Sequence, residues 1–197
     1  VAAVLLAFGL ASCGSDDTTS SASPSASPSP TSTPTPAPVI WAGEVCVARD
    51  NVGAAVSALG RNLSYDITSD RSALEQIDRQ LRIQVLSVGD ALSGLGTALQ
   101  GVPADFQAAN DFVVAATKAK DDTTEAIEAT RANLDAMVNS ENVVSGVASA
   151  GAALVSAKAA FEAGSALVQI VTDAVSTKGG ELQAAFDAAP QCQSGDS

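Results

Sequence analysis

Carboxylates crowd one stretch of this chain: Asp121, Asp122, Glu125, Glu128 and Asp135, with Asp121, Glu125 and Glu128 at i, i+4 and i+7. Oxygen ligands sharing a helical face could hold a hard cation. The same residues fall opposite an apolar seam marked by Ile127 and Leu134, which describes a solvated face, and no metal ligand is assigned. Glu75 and Asp78 stand four residues before Arg79 and Arg82, the spacing of helix-surface ion pairs. Histidine is absent from the whole chain. That removes histidine-dependent hydrolase triads, His-Glu-x-x-His metal sites and the Glu-x-x-His di-iron motif of helical bundles. No phosphate-loop or dinucleotide fingerprint occurs. Gly89 and Gly96, seven apart on a helical pattern, suit close helix contact rather than phosphate binding, since no strand precedes them. The expectation is therefore no catalytic residue, no cofactor and no enzyme.

Cysteine carries the remaining chemistry. An apolar run from Val1 leads into Leu10-Ala11-Ser12-Cys13-Gly14, and this string resembles the lipobox of bacterial lipoprotein signal peptides. The run suits a signal h-region and is too short to cross a bilayer. The resemblance implies that residues 1–12 are removed, that Cys13 becomes the acylated first residue, and that the lipid bilayer is a partner through that residue. It places the protein on the outer face of the cytoplasmic membrane, as a lipid-anchored, extracytoplasmic member of the cell envelope. Each buried acyl methylene contributes about 0.8 kcal/mol, so two chains anchor stably. The first basic residue is Arg49. Signal peptides carry a basic n-region, so the true start is expected upstream of Val1. Alanine richness, scarce lysine and the segment that follows are similar in composition to proteins of high-GC Gram-positive, actinobacterial cells.

From Ser15 to Pro38 the chain turns to Ser, Thr, Pro and Ala, with Pro24, Pro28, Pro30, Pro34, Pro36 and Pro38. Such a segment cannot bury enough surface to fold. At about 3.1 Å per residue in polyproline II it could reach ~80 Å, so residues 13–39 are read as a lipidated stalk. Residues 40–192 make one domain and 193–197 a tail. The net charge of −12 leaves no basic patch to displace counterions, so nucleic acid is not a partner.

The domain reads as all-α, an antiparallel bundle of four long helices with an alanine-rich core. Val45, Arg49, Val52, Val56, Leu59 and Leu63 step by four and three and predict a helix over 44–63. Leu74, Ile77, Leu81, Val85, Val88, Leu92, Leu95, Leu99 and Val102 predict the second, with Ser72 and Glu75 at capping-box spacing. Pro103 opens a third to Asn139, with Phe106, Val113, Ile127 and Leu134 on its seam and Lys120 forced to snorkel or pair. In the fourth, Val147, Leu154, Phe161, Val168, Val175 and Leu182 recur at intervals of seven as a column of large residues, accompanied by a mostly small column of Ala150, Ala157, Gly164 and Val171. Alternating columns of this kind predict close helix approach.

With Cys13 lipidated, Cys46 and Cys192 remain, and in an exported protein such a pair reads as a disulfide. Four antiparallel helices bring both chain ends to one end of the bundle. An unbroken last helix from Val147 to Ala189 would span ~64 Å and overshoot Cys46. A break is therefore expected at Gly179-Gly180, followed by a short helix ended by Pro190. Two functions suit this chain. The first is a non-enzymatic interaction or structural module that docks to an envelope protein or to itself. The alternative is a carrier or sensor holding a small hydrophobic ligand between helices, in a pocket lined by Phe106, Phe112, Phe161 and Phe186.

Overall fold

Period-3.6 runs of apolar residues become helices wherever a neighbour covers them. The structure, a computed structural model, describes residues 35–61, 63, 71–176 and 179–193. Cys13, the signal segment, most of the expected stalk and residues 194–197 of the tail lie outside the described residues. The fold is all-α, with no strand among the described residues. Four long helices, α1 (Ala37–Arg61), α2 (Arg71–Gln100), α3 (Asn110–Val138) and α4 (Val143–Ser176), are followed by a short α5 (Glu181–Ala188). Single 3-10 turns sit at Gln107–Ala109 and Pro190–Cys192. Both α1 and α3 pack against α2 and α4, so the long helices form a closed ring in chain order.

α1 begins seven residues before Glu44, inside the segment read as stalk. The Pro36 carbonyl accepts hydrogen bonds from the Val39 and Ile40 N–H groups. Pro38 falls in the first turn, where a missing N–H has no intrahelical partner to lose. The added turns bring Trp41 into the core at 2% exposure. Arg49, the one polar member of the expected seam, is half-buried with its side chain 11% exposed and bonds to Asp50 at 2.7 Å, while Ala48 beside it is buried. Leu63 lies beyond the helix and is half-buried.

α2 follows its predicted seam, with Leu74, Ile77, Leu81, Val85, Val88, Leu92, Leu95 and Leu99 all buried. Its first residue is Arg71, so Ser72 sits within the first turn rather than at the cap. At the other end, the Gly101 N–H donates to the Thr97 and Ala98 carbonyls.

Pro103 does not open α3. Residues 103–106 form a turn closed by the Phe106 N–H on the Pro103 carbonyl, and α3 starts at Asn110. The turn carries the Phe106 ring to Trp41, with centroids 5.8 Å apart. Edge-to-face contacts of this kind are worth about 0.5–1.5 kcal/mol beyond area burial. The α3 seam consequently begins at Phe112 and Ala116, and Val113 is only half-buried. Thr123 and Thr130 occupy core positions further along. Their hydroxyls donate to the Ala119 and Ala126 carbonyls at 2.7 and 2.8 Å, which satisfies them inside the helix.

On α4 the small column is the innermost one: Gly146, Ala150, Ala153, Ala157, Ala160, Gly164, Leu167 and Val171 are buried. The large column, Val147, Leu154, Phe161, Val168 and Val175, is half-buried at its flank. A Cβ placed on Gly164 would lie 2.6 Å from Val56 Cγ2, and one on Gly60 would lie 2.5 Å from Phe161 Cε2. Together with Gly53 against Val168, these contacts set the antiparallel register of α1 on α4. By length and composition α4 is apolar enough to cross a membrane, but here it forms one wall of the ring. Gly179 and Gly180 break it with φ of +100° and +96°, values that favour glycine. α5 then turns back and buries Phe186, with Ala189 buried just beyond it.

Candidate functional site

Both ends of the bundle's chain meet in one node. Cys46 and Cys192 stand at disulfide distance, with sulfurs 2.05 Å and Cα atoms 5.2 Å apart. One turn before Cys46, Trp41 contacts Phe106, Phe112 and Phe186 with ring centroids 5.8, 6.1 and 5.9 Å away. Phe112 and Phe186 also meet edge to face at 5.9 Å. The indole N–H of Trp41 donates to the Ala98 carbonyl at 2.9 Å, so its polar atom is satisfied. α1, α2, α3, α5 and the 101–109 connection are thus tied together at a single point. The expected pocket between Phe106, Phe112, Phe161 and Phe186 is not assembled. Three of the four rings are in contact with Trp41, and Phe161 lies elsewhere, against Gly60. Beside the node an open groove of about 760 Å³ runs past Val39, Ile40, Gly43, Val47, Gly94 and Gln191.

The acidic residues of α3 face solvent, as their spacing suggested. Asp121, Asp122, Glu125, Glu128 and Asp135 are all exposed. Three of them are engaged: Asp121 with Lys120 at 2.5 Å, Asp122 with Lys118 at 2.6 Å, and Asp135 with Arg82 at 2.9 Å. Among the described residues no three His, Cys, Asp or Glu side chains are grouped to hold a metal ion. The Asp122 hydrogen bond, then its charge, raises the Lys118 pKa above the ordinary lysine value. Burial pulls the Arg82 pKa down, but hydrogen bonds from Asp135 and Asp78, with their charges, outweigh it and leave a net rise. The expected surface pairs Glu75–Arg79 and Asp78–Arg82 are present at 4.0 and 2.7 Å.

The other end of the bundle is the turn joining α3 to α4. Val138, Val143 and Val144 are exposed there at 59, 37 and 80%. No charged residue occurs between Glu141 and Lys158, and Val155 is also exposed. Asn142 begins the turn into α4 by accepting the Ser145 N–H on its side chain at 2.9 Å. The apolar surface at this tip was not foreseen from sequence, because the same valines read equally well as core.

Along the side, Gly89 and Gly96 form two notches in α2, and basic side chains of α3 fill them. A Cβ on Gly89 would lie 2.8 Å from Arg131 Nη2, and one on Gly96 would lie 3.4 Å from Lys120 Cδ. The glycines thus permit close contact, as expected, but with long side chains rather than with backbone.

Fold and node together define an all-α bundle whose chain ends are joined at one pole. Comparison with protein-family models, with curated proteins and with solved structures finds no match for this chain.

Proposed function

We propose that this chain is a lipid-anchored lipoprotein of the cell envelope whose helical bundle is a non-enzymatic interaction module. The observation that carries this reading is the exposed apolar group Val138, Val143 and Val144 at the α3–α4 turn, bordered by the charged Glu141, Arg71 and Glu75. It lies at the pole opposite the one where the chain enters the bundle at Ala37. Exposed apolar surface grouped in this way marks contact with a partner. The hydrophobic-carrier alternative draws no support from the aromatic cluster, where the rings fill the space between them.

Two measurements test the reading. Metabolic labelling with an alkyne fatty acid should tag the chain, and Cys13→Ser should abolish the tag and release the protein from the membrane fraction. A photo-crosslinking side chain at Val144 should give a discrete adduct in intact cells, whereas one at Lys158, exposed on the same helix, should not. Equal or absent adducts at both positions would defeat the interaction reading, and labelling independent of Cys13 would defeat the anchor.

A further inference from the structure

The α2–α3 groove holds an arginine with no acceptor, in a chain where acceptors are abundant. Acidic residues outnumber basic ones by 22 to 10. Arg49, Arg79, Arg82, Lys118, Lys120 and Lys158 each have a carboxylate partner. Arg131 has none among the described residues, and its Nε, shielded from solvent, makes no hydrogen bond. A buried N–H left without an acceptor costs on the order of 1–3 kcal/mol. Its guanidinium lies over the Gly89 notch, and the Lys120 side chain lies over Gly96, two helical turns along. Between them runs an open groove of about 510 Å³ lined by Asp90, Ser93, Thr97, Gln100, Thr124 and Ile127.

We infer that this groove binds a phosphate ester that also carries hydroxyl groups, such as a sugar phosphate. A guanidinium matches a phosphate or carboxylate in a two-point hydrogen bond, and Nε, shielded beside the Gly89 notch, becomes one of its two prongs when the side chain turns from the notch into the groove. Lys120, half-buried at the groove, is a second cation there, its ammonium shared with Asp121 at 2.5 Å. Ser93, Thr97, Gln100 and Asp90 supply donors and acceptors for hydroxyls; a carboxylate such as Asp90 accepts from a hydroxyl and repels a second phosphate. Hydroxyl-rich, singly phosphorylated ligands therefore fit better than polyphosphates. Recognition rests on the guanidinium and not on glycine backbone, so the absence of a phosphate-loop motif does not bear on it. With a net charge of −12, the protein repels anions at a distance, and the groove must select by contact.

The ester could arrive free in solution or as a lipid headgroup, and two probes separate these sources. The full chain is titrated with glucose 1-phosphate, with glucose as the control, and separately with vesicles of phosphatidylinositol in phosphatidylcholine. The readout is the ¹H–¹⁵N resonance of the arginine side-chain Nε–H groups, assigned by Arg131→Gln. Saturable movement of the Arg131 signal with either phosphate probe and none with glucose is the expected result. Arg131→Gln should weaken binding at least ten-fold. Arg131→Lys serves if the glutamine variant fails to fold, and should show the same loss. A silent Arg131 resonance with both phosphate probes would overturn the inference. So would unchanged affinity in a folded Arg131 variant.

Discussion

Breaking the link between Cys46 and Cys192 should cost this bundle more than any single core truncation except the largest. The residues are separated by 146 positions, and the loop-entropy relation gives about 5 kcal/mol for a loop of that length. Measured values run lower, so a loss of about 3–5 kcal/mol is expected on reduction. For a domain of this size each kcal/mol moves Tm by about 2–4 °C, which makes the shift roughly 6–20 °C. Reduced wild type should match Cys46→Ala/Cys192→Ala closely, and any difference between them isolates the packing cost of losing the buried Cys46 sulfur. Trp41, the single tryptophan of the chain, sits one turn from Cys46 and reports on this pole alone. Urea unfolding followed by tryptophan fluorescence and by far-UV circular dichroism should coincide in the oxidised protein. In the reduced protein the fluorescence transition should come first, because α5 and the Pro190–Cys192 turn then lose their covalent tie to α1 and keep only non-covalent packing, such as that of Ala185, Phe186 and Ala189. A Tm loss under about 2 °C, with the two probes still coincident, would refute the argument that this node fastens the chain ends.

Gly164→Ala should destabilise by about 1–3 kcal/mol, since its Cβ would collide with Val56 Cγ2 at 2.6 Å. Val56→Ala in the same chain should recover part of that loss in a double-mutant cycle measured by urea denaturation. Leu134→Ala, at a fully buried position of α3, should cost about 2–5 kcal/mol by the same assay. Gly180→Ala forces a Cβ into φ +96°, ψ 167°, a region open essentially to glycine, at about 1–3 kcal/mol. Hydrogen exchange should then quicken in α5 before it quickens in α2.

The helical seam of α2 was legible because its neighbours cover what the period exposes. The seam residues Leu74, Ile77, Leu81, Val85, Val88, Leu92, Leu95 and Leu99 are all buried, while Ile83 and Leu86, off the seam, stay exposed, so local pattern and tertiary packing agree. The Gly179-Gly180 break was legible for a different reason: helix rise is fixed, and only a fold-back lets Cys192 reach Cys46. The surface role of the α3 carboxylates followed from their angle to Ile127 and Leu134. At the aromatic node, legibility ended. Spacing placed Phe106 on the α3 seam, but the ring gains more by turning to Trp41, and that residue stood outside the helix predicted for α1. Threonine at 123 and 130 gave no sign of burial, since satisfaction by the carbonyl four residues back depends only on the helix existing.

What the amino-acid sequence determined by itself was periodic and additive: helix content, the end-to-end cysteine pair, and the absence of histidine chemistry. Tertiary structure decided which of two equally periodic columns on α4 faces inward. The small one does, because alanine and glycine let α1 and α3 come close enough for their own side chains to fill the core. It also decided which apolar residues stay outside. Val144 and Leu154 are alike to any pattern, yet only packing against a neighbour covers one of them: Leu154 packs on the core and Val144 is 80% exposed. Arg131 belongs to the same category: a notch on another helix, invisible from its own, strips its Nε of water and leaves it without an acceptor.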